Sequence, residues 1–205
     1  YYFAWANRLV TYYLKTSRTN IALYEVQNML KEAQKEDDKT GLSRCYNIMS
    51  QIYTIKRFDS MAFEWRLKEI ELTEKYNIEN YNISQTYAQI ANYYINQKKQ
   101  KEALRAVEKA ISTANSSTQQ ISAKLEYVNY YIKFSDFQAA EKILKECQIA
   151  FEQDKRLESI KKRLYNIECL YYQQTRQYQK ALEAAEMQEK EEHRLSESIL
   201  SSSHY

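Results

Sequence analysis

Eight side-chain amides, Asn7, Asn47, Gln51, Gln85, Asn92, Asn129, Asn166 and Gln173, recur on one helical face of this 205-residue chain, with Arg44 and Arg163 among them. An amide carries two donors and an acceptor, so a row of them can bond the backbone of an extended peptide whatever its side chains. The two guanidinium groups can engage carboxylates on the same ligand. No carboxylate belongs to this set. Groups for other chemistry are scarce. A single glycine, Gly41, excludes a glycine-rich phosphate loop or a dinucleotide fingerprint. The two histidines, His193 and His204, stand near the C-terminus. Glu189 and His193 share a helical face, but HExxH-type zinc chemistry needs a second histidine at the right spacing. Cys45, Cys147 and Cys169 form neither a CxxC nor a metal-ligand spacing and read as small structural residues. The chain is expected to be no enzyme and to hold no metal and no cofactor.

These side chains must be carried by helices. The chain has one Gly and no Pro, while Lys, Glu, Gln, Leu and Ala are plentiful. Strands and tight hairpins lean on Gly and Pro for their turns, so the composition points to an all-α protein. Twenty tyrosines suit helix seams whose edges reach water, since each ring is apolar with a polar tip. Thirty basic and 27 acidic residues are interspersed, for a net charge of +3. That is a solvated surface, and nucleic acid is not an expected partner. The basic clusters Lys98-Lys99-Gln100-Lys101 and Lys161-Lys162-Arg163 read as turns and helix ends facing water. No apolar run reaches the roughly 18 residues of a membrane span. There is no signal peptide. The chain opens on YYFAW in mid-helix without an initiator Met, so a fragment of a longer protein is expected.

A register organises the whole chain. In the stretch Tyr87 to Ala110, Tyr87, Ile90, Ala91 and Tyr94 share one helical face and Ala103, Val107 and Ala110 a second. Counterparts of Tyr94 stand at Tyr13, Tyr53, Tyr131 and Tyr172, and those of Ala103 at Ala22, Ala62, Ala140 and Ala181. Both series run at intervals of 40, 41, 37 and 41 residues. This spacing resembles the tetratricopeptide repeat, aromatic-x2-Leu-Gly/Ala-x2-Tyr followed by an alanine-marked second helix. The resemblance implies an α-solenoid of about five helix-turn-helix repeats, ten antiparallel helices in a right-handed superhelix. One repeat domain over 1–205 is expected, with repeats at about 1–38, 39–79, 80–116, 117–156 and 157–200. The helices are expected at about 2–16, 19–36, 40–56, 59–76, 81–97, 99–114, 118–134, 136–153, 157–175 and 177–200. Asn115-Ser116-Ser117-Thr118 and Asn77 to Asn82 supply links whose Asn, Ser and Thr are available as N-caps, and Asp59 and Ser135-Asp136 can cap the second helices of their repeats. Arg66 and Glu69 fall where the second repeat should be apolar, which predicts a helix rotated toward Phe63, Leu67 and Ile70. Gln188 predicts a polar cap to the last repeat.

With the repeat tyrosine as zero, offsets −9, −6, −2 and +1 lie opposite the core face of each first helix. In tetratricopeptide arrays that side lines the concave groove. The resemblance therefore makes Asn7, Arg44, Asn47, Gln51, Gln85, Asn92, Asn129, Arg163, Asn166 and Gln173 the candidate peptide-binding residues. Thr11, Leu14, Thr54, Ala88, Ile95, Leu125, Ile132 and Leu170 lie beside them. The expected function is recognition of a protein or peptide ligand. The Tyr-rich repeats of about 40 residues also resemble the sensor segments of bacterial regulators, in which such repeats precede a membrane span and a histidine kinase or DNA-binding domain. In that reading the chain is a ligand-sensing input domain, cytoplasmic or periplasmic, and the helix after Leu182 transmits the signal. The alternative is a passive scaffold for assembling protein complexes. Oligomeric state stays open.

Overall fold

A computed structural model describes residues 2–202. The described residues form ten α-helices with no strand: α1 (Tyr2–Lys15), α2 (Thr19–Lys35), α3 (Lys39–Ile55), α4 (Asp59–Tyr76), α5 (Ile83–Asn96), α6 (Gln100–Ser112), α7 (Ser117–Lys133), α8 (Phe137–Gln153), α9 (Lys161–Gln174) and α10 (Tyr178–Ser202). His204 lies outside the described residues. The one boundary that departs clearly from expectation is the start of the ninth helix. Lys155–Ile160 is a 3-10 turn, and α9 begins only at Lys161. The Asp154 carboxylate accepts from the Arg156 backbone N–H at 3.0 Å and from its guanidinium at 2.9 Å, which pins the tight turn. These bonds hold Asp154 down at about 2.

Every first helix ends in the same way. Four residues after the repeat tyrosine stand Ser17, Arg57, Lys98, Ser135 and Arg176, all left-handed, with φ between 59 and 63°. The next N–H then turns back to the tyrosine's own carbonyl: Arg18 to Tyr13 at 2.8 Å, Phe58 to Tyr53, Lys99 to Tyr94 and Asp136 to Tyr131 at 2.9 Å, and Gln177 to Tyr172 at 2.8 Å. This is the Schellman closure, which satisfies helix-end carbonyls, built without the glycine that usually makes it. A residue with a Cβ costs about 1–2 kcal/mol in that conformation. Nine residues after each tyrosine the alanine is buried: Ala22, Ala62, Ala103 and Ala140 at 0% and Ala181 at 8%. Any larger side chain would push the paired helices apart.

The chain divides into two compact units, Tyr1–Thr86 and Tyr87–Tyr205. In the first, Ala6 and Val10 of α1, Ala22, Val26 and Met29 of α2, and Cys45, Ile48, Met49 and Ile52 of α3 form one core. In the second, α7 and α8 pack with Leu157 of the 3-10 turn and Leu164, Ile167 and Tyr171 of α9. Burial pushes the thiols of Cys45 and Cys147 up to about 12, so both stay protonated, inert core residues.

Two expectations are corrected. Helix α4 is not rotated: it buries Ala62, Arg66, Glu69, Ile70 and Thr73, while Leu67 is exposed. The polar pair keeps the register because both groups are satisfied in place, with Arg66 donating to Thr54 Oγ1 at 2.7 Å and Glu69 accepting from several donors. Asp59 is the first residue of α4 rather than its cap, and Phe58 holds the cap position. Ser116 and Asp136 do cap, accepting from the N–H of Gln119 at 3.2 Å and of Ala139 at 3.1 Å.

Candidate peptide-binding surface

In the first unit, α1 and α3 bring six of the face residues around one cleft. Asn7, Thr11 and Leu14 line one side and Arg44, Asn47 and Gln51 the other, enclosing about 350 Å³. One turn separates Asn7 from Thr11, whose hydroxyl donates to the Asn7 carbonyl at 2.8 Å. Val10 and Ile48 supply apolar lining, and Glu69, Asn80 and Asn82 complete the wall. Arg44, Asn7 and Gln51 are exposed. The Asn7 and Arg44 donors are therefore open to a ligand, and Gln51 keeps one amide N–H beyond the one it gives to Asn47. Thr54 is set apart, its hydroxyl taken by Arg66.

A carboxylate closes the back of this cleft. Glu69 is 1% exposed. It accepts from Asn47 Nδ2 at 3.2 Å, Asn80 Nδ2 at 2.9 Å and Thr86 Oγ1 at 3.1 Å. Asn47 in turn accepts from Gln51 Nε2 at 2.6 Å. Burial raises the pKa of Glu69, while its amide and hydroxyl donors and the nearby Arg66 charge act the other way. Asn47 is thus an internal strut that presents Gln51 to the cleft, with its own amide already committed.

The second unit has its own buried acid. Glu126, on α7, is 5% exposed. Asn92 Nδ2 of α5 donates to its Oε1 at 3.1 Å, and Asn129 Nδ2 from the next turn of α7 donates at 2.9 Å. Arg163 Nη2 of α9 reaches Oε2 at 2.6 Å, and Arg163 Nη1 bonds Asn166 Oδ1 at 2.9 Å. Three of the expected ligand-facing residues, Asn92, Asn129 and Arg163, therefore converge on one internal carboxylate that ties three first helices together, and Asn166 joins them through Arg163. Gln85 and Gln173 remain exposed. Ala88, Ile95, Leu125 and Ile132, which the face arithmetic sets beside the groove, are buried, and Leu125 at 0% belongs to the core of the second unit.

The sequence reading missed both acids. Glu69 reads there as a misfit, and Glu126 sits at offset −5, between the two faces considered. A glutamate at a seam position, within helical reach of asparagines on neighbouring first helices, is the signal that could have found them. The two acids give the row of amides its internal partners, since a buried carboxylate needs several donors.

No family model matches the chain, and no curated protein matches it. Solved structures do. A protein from Podosopora anserina, described as a kinesin light chain with nearly identical TPR-like repeats, superposes with a TM-score of 0.65 at 14% identity, over 94% of this chain and 95% of that one. BtubC (BKLC) from P. vanneervenii gives 0.61 at 13% identity, over 95% and 91%. The fold is an α-solenoid of tetratricopeptide-like repeats. At these identities the likeness shows the fold alone. Within that fold the left-handed turns mark the break inside each tetratricopeptide-like pair, and the tyrosine whose carbonyl they close is the repeat's own register mark. Among the described residues no helix is long and apolar enough to cross a membrane.

Proposed function

We propose that this chain is a non-catalytic protein- or peptide-binding module, working as the ligand-sensing input domain of a bacterial regulator. The observation that carries the binding part is the cleft between α1 and α3, where Asn7, Arg44 and Gln51 converge with open donors above an apolar lining. An extended peptide offers its backbone carbonyls to such amides and its carboxylates to Arg44. The sensing part draws support from α10. It runs for 25 residues, and Leu195, Ile199 and Leu200 continue an exposed apolar stripe along its last turns. A helix of that kind can carry a rearrangement onward to an output domain. The passive scaffold differs in having no such output.

Selection of binders from a displayed peptide library tests the cleft. Binding should weaken at least tenfold in a variant carrying Asn7→Ala, Arg44→Ala and Gln51→Ala, with its helical circular dichroism unchanged. Selected peptides that bind this variant as well as they bind the native chain would move the site elsewhere.

A further inference from the structure

Each of the two buried glutamates starts a chain of hydrogen bonds that runs outward. A carboxylate accepts and cannot donate. Glu69 therefore meets the Nδ2 end of Asn47, at 3.2 Å, and the Asn47 Oδ1 must point away from it. That oxygen needs a donor, and Gln51, one helical turn on, gives its Nε2 at 2.6 Å. Which end of an amide faces which way is decided by such partners, and here one buried charge decides it for two amides in series. The same construction recurs in the second unit. Glu126 Oε1 accepts from Asn92 Nδ2 at 3.1 Å, and Asn92 Oδ1 accepts from Asn96 Nδ2 at 3.3 Å. The outer amides, Gln51 and Asn96, are both exposed. Gln51 stands before its repeat tyrosine, Tyr53, and Asn96 after its own, Tyr94, so the recurrence does not follow from the repeat register alone.

We infer that Glu69 sets the polarity of the cleft between α1 and α3: through Asn47 it turns the Gln51 carbonyl oxygen outward, and that oxygen takes a backbone N–H of the peptide. This rests on the cleft being the peptide site. Gln51 is left with both lone pairs of Oε1 and one N–H. In a paired extended strand one residue gives its N–H and its C=O together to the same partner. The Gln51 amide offers the matching acceptor and donor on one group. Asn7, across the cleft, stands outside this chain of bonds and can turn either end of its amide to the ligand. An ammonium is a poorer match for the Gln51 oxygen, because Arg44 lines the same wall. Glu69, 1% exposed, is thus a positioning residue that acts through Asn47.

The relay is tested first without a ligand. In proton–nitrogen correlation spectra above neutral pH, the side-chain amide signals of Gln51 are assigned by their loss in Gln51→Ala. A glutamine at position 69 can donate as well as accept, so Glu69→Gln should move the Gln51 signals although Asn47 stands between the two side chains. In an Asn47→Ala background the same change should leave them in place. Glu69→Met stands in for Glu69→Gln if the latter loses the native circular dichroism. The ligand half uses the tightest peptide from a displayed library, N-methylated one residue at a time to remove single N–H donors. At one position the affinity should fall about two- to tenfold through loss of a neutral hydrogen bond. Gln51→Ala, at an exposed position, should erase that penalty, and Glu69→Gln should shrink it. Gln51 signals that stay in place in both position-69 variants overturn the inference and leave the peptide site standing. So does an N-methyl penalty that is the same at every position in Gln51→Ala as in the native chain. Undiminished binding to the variant carrying Asn7→Ala, Arg44→Ala and Gln51→Ala instead overturns the peptide site itself, and the inference with it.

Discussion

Replacing Arg163 with alanine asks whether this residue serves the fold or the ligand. Its guanidinium meets Glu126 at 2.6 Å, with side-chain exposures of 32% for Arg163 and 7% for Glu126. A hydrogen bond between charged groups contributes about 1.5–3 kcal/mol net. The half-exposed arginine lets water take over part of its role, so the lower end, about 1.5–2 kcal/mol, is expected. Asn92 and Asn129 still hold the Oε1 side at 3.1 and 2.9 Å, which keeps the loss below that of a fully orphaned charge. In a domain of this size that is a fall in Tm of about 3–8 °C. The assay is urea denaturation followed by far-ultraviolet circular dichroism on Arg163→Ala, Glu126→Ala and the double variant. The double-mutant cycle should return a coupling of about 1.5–2 kcal/mol, because either single change already removes the pair. A coupling within about 0.3 kcal/mol of zero, with ligand binding lost in Arg163→Ala, would refute the reasoning and return Arg163 to the binding surface.

Other predictions concern Glu69 and the left-handed turns. Burial raises the Glu69 pKa above its ordinary 4.5, so between 4.5 and the raised value the folded state binds the proton that the unfolded state has released. Stability should therefore be fully favoured below that window and fall as pH rises through it. The stability of Glu69→Gln relative to the native chain should climb from pH 4 to pH 8, and a flat difference across that range would mean that Glu69 titrates normally. Lys98, at φ 59°, is held where a Cβ is strained. Lys98→Gly should stabilise by about 0.5–1 kcal/mol, the relief of strain less the added unfolded-state freedom of glycine. Lys98→Ala should show no such gain in the same urea titration, and equal effects of the two changes would show that the turn carries no strain.

Much of the fold is legible in the residues because its determinants are local and recur. The tyrosines and alanines mark helix faces at a fixed spacing, and burial of one face needs only periodicity, so helix number and most boundaries follow. The turns were less legible. Helix ends of this type are usually signalled by glycine, and here the closing bond to the tyrosine carbonyl holds Ser17, Arg57, Lys98, Ser135 and Arg176 in the left-handed conformation instead. Lys155–Ile160 reads as part of a helix until the Asp154–Arg156 contact, a matter of side-chain geometry, turns it into a 3-10 segment.

What the sequence by itself determined is the all-α class, the pairing of helices and the face on which the amides stand. What only the tertiary structure decided is what those amides touch. Helical arithmetic gives a direction around one axis, but the partner of a side chain depends on which helices are neighbours and how closely they approach. Asn47 turned out to hold Glu69, and Asn92, Asn129 and Arg163 to hold Glu126, because those acids are buried where water cannot solvate them and amides on adjacent helices can. Asn7 and Arg44 stay exposed on the cleft that Glu69 closes at its back, and Gln51 leans on Asn47 beside them.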